Sequence, residues 1–397
     1  MNILFLLKSL ETGGLEVVTA VLANEFVKRR HNVCVFSFLG GKNSIAKRFD
    51  KQIELYTRND YSVNRNNIFI LRNILIENKI DVIINQWGLP LIPIRTARKA
   101  SRGLDVKIIS VYHNAPSFNG RIQKLNIALT GCENPLKRIL LKGMRWAFKT
   151  VTSRAMRYNY EQSDLFMVLS KSHINEFQKF TGLQNLSHLS VMTNPITVKN
   201  LGFKYQPEKK NKEVIYVGRI DFVQKRVNRV IDTWALLEER FPDWKLTIVG
   251  DGPGRMNIEM QVQEKGLKRV SFEGFQQPIE FYKRASVLML TSDFEGFGLV
   301  IVEGMSFGVV PVVYGSYSAV YDIIEDGKDG IILPFDKEKG FDAKEMAERM
   351  AAVMSDPETL QTMAVQAVEK STEYSIDKIV RQWEKVMGKL ANKIKYE

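Results

Sequence analysis

Two basic side chains, Arg219 and Lys225, lie six residues apart after an apolar run that ends at Val217. The run is typical of a buried strand, so Arg219 is expected at the strand end and Lys225 in the first turn of the next helix. A guanidinium offers a planar fork of donors and an ammonium a point charge, and together they suit a diphosphate. Two solvated loop cations would produce the same pattern, and that alternative stays open at this point.

Two carboxylates, Glu295 and Glu303, bracket the start of a later predicted helix. Paired carboxylates accept hydrogen bonds from vicinal sugar hydroxyls, and both can face one pocket if Glu303 lies one turn into the helix. Between them, Gly298 and Leu299 would present free amide groups to a phosphate. An exposed acidic helix start is the alternative, since the helix dipole favours it. The glycines at 296 and 298 favour a ligand site because they allow close approach to the backbone.

Glycines and a histidine follow other predicted strands. Gly13 and Gly14 follow the first strand, and His113 and Gly250 each follow a later one. In open parallel sheets ligands bind beyond the carboxyl ends of the strands, so these positions are expected on such a rim. Taken alone, Gly13-Gly14 indicates only a turn, and a lone histidine is more often a residue of the core edge.

Short apolar runs alternate with helical periodicity along the chain, which predicts two successive β/α series. Asn194-Pro195 and the polar segment 207–212 indicate a linker between them, giving lobes at 1–200 and 201–375. An α/β protein with two Rossmann-like lobes of parallel strands is therefore predicted. The predicted strands are 2–7, 33–39, 82–85, 107–112, 165–169, 213–217, 245–249, 286–291 and 309–313, and the predicted helices are 15–30, 227–240, 299–308, 343–354 and 376–389.

The charge of the chain is uneven. It holds 57 Lys and Arg against 44 Asp and Glu, a net charge of +13. Residues 1–200 carry 29 basic and 13 acidic side chains, a net of +16, whereas residues 201–397 carry 28 and 31, a net of −3. A basic half beside a slightly acidic one indicates a negatively charged ligand or surface facing the first lobe.

Several classes of protein are excluded by composition. Two cysteines, Cys34 and Cys132, cannot form a disulfide framework, so a cytoplasmic protein is expected. Four histidines without paired spacing give no zinc site. No apolar run approaches the roughly 20 residues that cross a bilayer.

Taken together, the motifs resemble the retaining glycosyltransferases of family 4, which have the two-lobed GT-B fold. The resemblance covers nearly the whole chain and is strongest in the carboxyl-terminal half. It implies two lobes facing each other across a cleft, with a C-terminal helix, about 376–397, crossing back to an acceptor-binding first lobe. The matching motifs are Gly13-Gly14-Leu15-Glu16, His113-Asn114, Val217-Gly218-Arg219 with Lys225, Val249-Gly250-Asp251-Gly252-Pro253, Phe272-Glu273-Gly274-Phe275 and Glu295-x7-Glu303.

The same resemblance implies a role for each residue. Arg219 and Lys225 would neutralise the donor diphosphate, Glu295 would bind the hydroxyls of the donor sugar, and His113 would contact the transferred sugar. Glu303 would bind the nucleotide ribose. The full donor-binding set that it implies is Gly13, Gly14, Gly218, Arg219, Lys225, Gly250, Phe275, Glu295, Gly298, Leu299 and Glu303.

The implied reaction moves a sugar from a nucleotide-diphosphate sugar, with UDP expected, to a glycan or lipid-linked acceptor. It retains the anomeric configuration. No cofactor and no metal are expected, because protein cations replace the metal and the chain has no Asp-x-Asp pair for it. The first lobe offers no obvious carboxylate nucleophile, so attack of the acceptor on the front face is expected.

Three other classes would share some of these features. A nicotinamide-dependent oxidoreductase should carry an intact G-x-G-x-x-G fingerprint, whereas Pro253 interrupts the glycines here. A nucleotide-sugar epimerase of the same fold would need further acid and base residues, which we do not identify. A basic protein that binds nucleic acid or membranes would explain the charge, but nucleic-acid binding should bring interleaved stacking aromatics, so no nucleic acid is expected as a partner.

The segment from Arg121 to Arg157 holds nine basic residues and one acidic residue. Its cations recur at helical spacing beside an apolar stripe, 136, 140, 144, 147 and 151. Such a helix either lies on an anionic membrane surface at the inner face of the membrane, or packs its stripe into the first lobe. The residues expected to contact membrane or acceptor are Arg138, Lys142, Arg145, Trp146 and Lys149.

Overall fold

The computed structural model describes residues 1–42, 44–117, 120–198 and 202–391. The chain divides into two compact units. The first comprises Met1–Thr197 and Ser375–Glu397, and the second comprises Val198–Tyr374. Positions 392–397 of the predicted C-terminal helix lie outside the described residues.

Within the described residues, the first unit is built on a seven-stranded sheet in which every pairing is parallel. Its strands are β1 (Asn2–Ser9), β2 (Asn32–Leu39), β3 (Glu54–Thr57), β4 (Val82–Asn85), β5 (Lys107–Tyr112), β6 (Leu165–Val168) and β7 (Leu189–Val191). They are ordered β3-β2-β1-β4-β5-β6-β7. The inner strands are apolar on both faces because helices cover both sides of a parallel sheet.

The connections of this sheet are helical, as parallel strands require. Its helices are α1 (Gly14–Lys28), α2 (Arg65–Glu77), α3 (Leu91–Ala100), α4 (Gly120–Thr130), α5 (Pro135–Gln162) and α6 (Ser172–Thr181), with a 3₁₀ turn at Ile45–Arg48. Among the described residues, no helix is long and apolar enough to span a bilayer.

The part of the second unit that is described contains a six-stranded parallel sheet, ordered β10-β9-β8-β11-β12-β13. The strands are β8 (Asn211–Val217), β9 (Lys245–Val249), β10 (Val270–Gly274), β11 (Ala285–Leu290), β12 (Val310–Gly315) and β13 (Ile331–Pro334). The helices are α7 (Val227–Ala235), α8 (Arg255–Glu264), α9 (Ile279–Arg284), α10 (Leu299–Met305), α11 (Val320–Ile323), α12 (Ala343–Met354) and α13 (Pro357–Ser371), with 3₁₀ turns at Pro207–Lys209 and Thr372–Tyr374.

The last helix, α14 (Ile376–Leu390), packs on α1 of the first unit. Arg29 at the end of α1 bonds Asp377 and Glu384, the latter at 3.0 Å. Trp383 and Met387 are buried on the other side of the same helix contact. A segment distant in sequence therefore completes the core of the first unit.

Three predicted boundaries are wrong. Helix α7 ends at Ala235 rather than 240, because buried Glu238 accepts the amides of Lys268 and Arg269 and holds a turn there. Helix α10 ends at Met305 rather than 308. The predicted linker is shorter than 207–212, since β8 already begins at Asn211.

Candidate active site

The loops that follow β8, β9 and β10 are tied together by backbone hydrogen bonds. The amide of Gly218 donates to Val249 at 3.0 Å, and the amide of Gly250 donates to Gly274 at 2.8 Å. Gly250 has φ +146°, and a Cβ atom there would lie 1.9 Å from the Gly218 carbonyl oxygen. Only glycine fits this position, so the motif Val249-Gly250 sets the spacing between two strand-end loops.

Asp221 organises the loop that carries the predicted cations. One carboxylate oxygen accepts the amides of Gln224 at 2.7 Å and Lys225 at 3.2 Å, and the other accepts Arg219 Nε at 2.9 Å. Burial alone would raise the pKa of Asp221, but these hydrogen bonds and the Arg219 charge lower it below its ordinary value. The carboxylate is therefore ionised and fixes the loop in one conformation.

Lys225 and Glu295 form an ion pair, with Nζ 2.6 Å from Oε1. Both side chains are largely buried, at 15% and 9% exposure. Ser292 donates its hydroxyl to the same carboxylate at 2.6 Å, and Gln224 Nε2 reaches it at 3.4 Å. Lys225 lies two residues before α7 rather than in its first turn, which corrects the predicted placement.

Arg219 keeps most of its side chain in solvent. It is 60% exposed, with Nε on Asp221 and Nη2 3.4 Å from Gln224 Oε1. Gln224 therefore contacts both Arg219 and Glu295, and the predicted residues of the two loops share one hydrogen-bond network. An exposed guanidinium beside a buried ammonium is an arrangement that can receive an anion from solvent.

A second network, which the sequence analysis missed, joins the same two loops. Asp293 accepts Arg226 Nε at 2.6 Å and Arg229 Nη1 at 2.6 Å. The amide of Asp293 donates to the Gln224 carbonyl at 2.7 Å. Arg226 has φ +51°, which its ion pair with Asp293 supports. The clustering of Arg226 and Arg229 just after Lys225 was the available signal, but it reads as an ordinary charged helix start.

Glu303 lies apart from this network. It is buried on α10, and the Tyr282 hydroxyl donates to its Oε2 at 3.3 Å. Gly298 precedes α10 with φ +96°, where a Cβ atom would lie 3.0 Å from Ile301 Cδ1. Phe275 is 76% exposed in the loop after β10. The described contacts thus join Lys225 to Glu295 but do not join Glu295 to Glu303.

In the first unit, His113 and Gln86 lie at the ends of adjacent strands β5 and β4. His113 Nε2 and Gln86 Oε1 are 2.6 Å apart. Burial lowers the pKa of His113 to about 3, so the imidazole is neutral near pH 7. The Nε2 atom of Gln86 is buried without a hydrogen-bond partner among the described residues.

The Gly13-Gly14 turn of the first unit is shaped by Glu16. A Cβ atom on Gly13 would lie 2.6 Å from Glu16 Oε2, whereas one on Gly14 would meet no atom within 4 Å. Burial raises the pKa of Glu16 to about 7. Gly13 is therefore required by packing against the carboxyl group, and Gly14 is the glycine whose surroundings are open.

The predicted membrane or acceptor residues all lie in the first half of α5. Arg138, Lys142 and Lys149 are exposed, and Trp146 is 70% exposed. Arg145 is half-buried and donates to Asn126 Oδ1 of α4 at 3.3 Å. The cations therefore do not form one uniform stripe in solvent, since Arg145 faces the neighbouring helix.

Two family descriptions match consecutive parts of this chain. The family described as Glycosyltransferase Family 4 matches residues 12–199, and the one described as Glycosyl transferases group 1 matches residues 197–370. A Campylobacter jejuni enzyme, GalNAc-alpha-(1->4)-GalNAc-alpha-(1->3)-diNAcBac-PP-undecaprenol alpha-1,4-N-acetyl-D-galactosaminyltransferase, is 25% identical over 99% of each chain. Lipopolysaccharide 1,6-galactosyltransferase of Escherichia coli is 33% identical over 36% of this chain and 41% of its own.

Solved structures of the same architecture are also known. Anabaena Alr3699/HepE in complex with UDP has a TM-score of 0.73 and 18% identity, over 98% of this chain and 100% of its own. At that identity the likeness establishes the fold, which is GT-B, as the sequence resemblance predicted.

Proposed function

Since the chain belongs to glycosyltransferase family 4 and is a transferase of that class, we propose that it moves a sugar from a nucleotide-diphosphate sugar to a hydroxyl of a glycan or lipid-linked acceptor. The observation that carries the proposal is the Lys225–Glu295 pair at the carboxyl edge of the second sheet. A buried cation and a carboxylate 2.6 Å apart can hold the phosphate and the sugar hydroxyls of one donor.

The donor phosphates would bind Arg219 and Lys225. Both side chains are positioned before any ligand arrives, Arg219 by Asp221 and Lys225 by Glu295. Donors held in place in this way stabilise the charge that develops on a departing diphosphate without reorganising. Glu295 would then exchange part of its contact with Lys225 for sugar hydroxyls, while Ser292 keeps the carboxylate oriented.

The nucleoside would bind further along the same edge. We assign its ribose to Glu303, whose carboxylate Tyr282 holds, and its base to the exposed Phe275 segment. The amides of Gly298 and Leu299, with the backbone at Gly218 and Gly250, would complete the phosphate contacts. In the first unit, Gly13, Gly14 and neutral His113 are assigned to the donor phosphates and the transferred sugar.

UDP is the proposed nucleotide. Alr3699/HepE, which shares the fold, has been solved with UDP and with UDP-glucose. The acceptor class follows the names of the relatives, one of which acts on an undecaprenol-linked glycan and another on lipopolysaccharide. No observation favours an epimerase or a nicotinamide-dependent enzyme as a second candidate.

We further propose retention of configuration, front-face attack and independence of metal. The cations Arg219 and Lys225 would supply the charge that a divalent ion supplies elsewhere. In a front-face reaction the acceptor hydroxyl attacks the anomeric carbon while the diphosphate leaves from the same side. The departing phosphate oxygen accepts the hydroxyl proton, so no carboxylate nucleophile is required.

Calorimetric titration tests the donor half of the proposal. The full chain, treated with EDTA, should bind UDP more tightly than uridine, because the phosphates carry the contacts with Arg219 and Lys225. NMR of the product formed from a UDP-α-sugar should show an α-linkage. Equal affinity for uridine and UDP, binding restored only by Mg²⁺, or a β-linked product would each contradict the corresponding part.

A further inference from the structure

The first half of α5 presents an apolar face to solvent. Leu136, Ile139 and Leu140 are 79%, 68% and 63% exposed, and Met144, Trp146 and Val151 are exposed as well. At 100° per residue these six side chains lie within an arc of about 160°. The opposite side of the helix packs on α4, where Arg145 bonds Asn126. The packed alternative for this stripe is therefore wrong.

Cations border the apolar face. Arg138, Lys142 and Lys149 follow the edge that carries Trp146, and Lys137 lies at the other edge. None of these cations is joined to a carboxylate by an ion pair among the described residues. With nine basic residues and one acidic residue between Arg121 and Arg157, the positive charge is uncompensated locally. The surface thus combines exposed apolar side chains with a basic margin and a tryptophan at the boundary.

We propose that this surface, the apolar face of α5 with its basic margin, docks the protein on an anionic lipid bilayer. Apolar side chains would enter the boundary between headgroups and acyl chains, and the cations would contact anionic headgroups. Trp146 lies where an amphipathic ring is favoured, between the two regions. The docking surface is independent of the proposed reaction, because none of its residues belongs to the donor site.

A second copy of the chain fits this surface less well. Two such faces brought together would place like charges opposite each other along both margins, which is unfavourable. An anionic bilayer is complementary to both the apolar face and the cations. The charge of the first 200 residues, +16, has the same sign and strengthens the attraction to such a surface.

Flotation of the full chain with vesicles tests the cations. The wild type should float with phosphatidylglycerol-containing vesicles at low salt and much less with pure phosphatidylcholine. Combined R138Q, K142Q and K149Q should weaken binding about a hundredfold, since each cation contributes about 1 kcal/mol near anionic lipid. Equal binding by this triple variant, or no flotation of the wild type, would overturn the proposal.

A charge-matched variant controls for net charge alone. Lys42, Lys47 and Lys51 are exposed in the same unit but lie away from α5. Combined K42Q, K47Q and K51Q changes the net charge equally and should retain nearly all vesicle binding. If both triple variants lose binding to the same extent, diffuse charge explains the attraction and the α5 surface does not.

The apolar face is tested separately. Combined Leu136→Ser and Leu140→Ser should weaken vesicle binding at least about tenfold through lost apolar burial. Phe69→Ser with Met256→Ser, at positions 62% and 73% exposed elsewhere, is the matched control and should not. Trp146 fluorescence should shift to the blue on binding, and the shift should be absent in W146F. Concentration-dependent dimers abolished by the leucine variant, without vesicle binding, would assign the face to a second copy instead.

Discussion

Lys225 carries the largest share of the donor contacts in this account. Replacement by Met should weaken UDP binding about 10- to 100-fold, because a charged hydrogen bond contributes about 1.5–3 kcal/mol. Calorimetric titration with UDP gives the value directly. The variant should also unfold at a lower temperature, since Glu295 is left buried without its cation.

Lys265→Met is the matched control for that variant. Lys265 also pairs with a carboxylate, Asp232 at 3.0 Å, but both side chains are about one-third exposed and lie away from the strand ends. Its removal should leave UDP affinity unchanged and stability within about 1 kcal/mol. An unchanged UDP affinity in folded Lys225→Met would remove Lys225 from the donor site.

Glu16 should make the stability of the first unit depend on pH. Burial raises its pKa to about 7, against an ordinary value of 4.5 when unfolded. Between these values the unfolded chain releases a proton that the folded chain keeps, so stability is full below about pH 4.5 and falls as pH rises through about 7. Glu16→Gln, which stays neutral, should be more stable than the wild type at pH 8, by up to about 3 kcal/mol.

Urea unfolding at several pH values measures this difference. Wild type and Glu16→Gln should have similar free energies of unfolding at pH 4.5 and diverge as pH rises. Glu77→Gln, at an exposed position of α2, is the control and should follow the wild type at every pH. Parallel pH profiles for wild type and Glu16→Gln would show that the carboxyl group ionises in the folded chain without penalty.

Individual residues were predictable to different degrees. Arg219, Lys225 and Glu295 were found from residue type and position after a strand, and the structure joins them in one network. Asp293, Gln224 and Ser292 were missed, because short polar residues in loops form turns in most proteins and carry no periodic signal. Their partners become visible only when two loops 70 residues apart are placed side by side.

At the scale of elements, the strand-end loops depend on one glycine. Gly250→Ala would place Cβ 1.9 Å from the Gly218 carbonyl oxygen, so the loop bearing Arg219 must move. We expect a loss of several kcal/mol in stability and of detectable UDP binding. Thermal unfolding and UDP titration measure the two effects.

Gly266→Ala separates the clash from the backbone conformation. Gly266 also has a positive φ, +67°, but a Cβ atom there would meet no atom within 4 Å. This variant should lose only about 1–2 kcal/mol and should keep its affinity for UDP. Equal losses in the two variants would indicate that Gly250 matters for its φ and not for its contact with Gly218.

Elements with strong patterns were predicted well, and marginal ones were not. Strands β1, β2, β4 and β5 are buried on both faces, and their continuous apolar runs identified them. Strands β3 and β7 at the edges of the first sheet were missed, since they are short and only partly buried. The length of α5 was also missed, because its apolar and basic stripes do not indicate where packing ends and exposure begins.

At the scale of the whole molecule, the last helix belongs to the first unit although it follows the second in sequence. Trp383→Ala should destabilise the first unit by about 3–5 kcal/mol, the cost of truncating a buried aromatic side chain. Hydrogen exchange should then rise mainly in peptides from residues 1–197. Trp234→Ala, buried in α7, is the control and should raise exchange mainly within 198–374.

Exchange that rose mainly within 198–374 in Trp383→Ala would contradict this assignment of the helix. The chain-order prediction here came from the family resemblance, since amphipathic periodicity alone does not say which sheet a helix covers. The contacts of Arg29 with Asp377 and Glu384 join charges about 350 residues apart, and no local pattern reveals such a pair.

The central claim is that this chain breaks the bond between a sugar and a nucleoside diphosphate. Release of UDP from a panel of UDP-sugars, measured by chromatography in EDTA without acceptor, tests it most directly. The account predicts slow hydrolysis of at least one UDP-sugar by the wild type and by Lys265→Met, and strongly reduced hydrolysis by Lys225→Met. Failure to release UDP from any sugar, or equal release by Lys225→Met and the wild type, would contradict it.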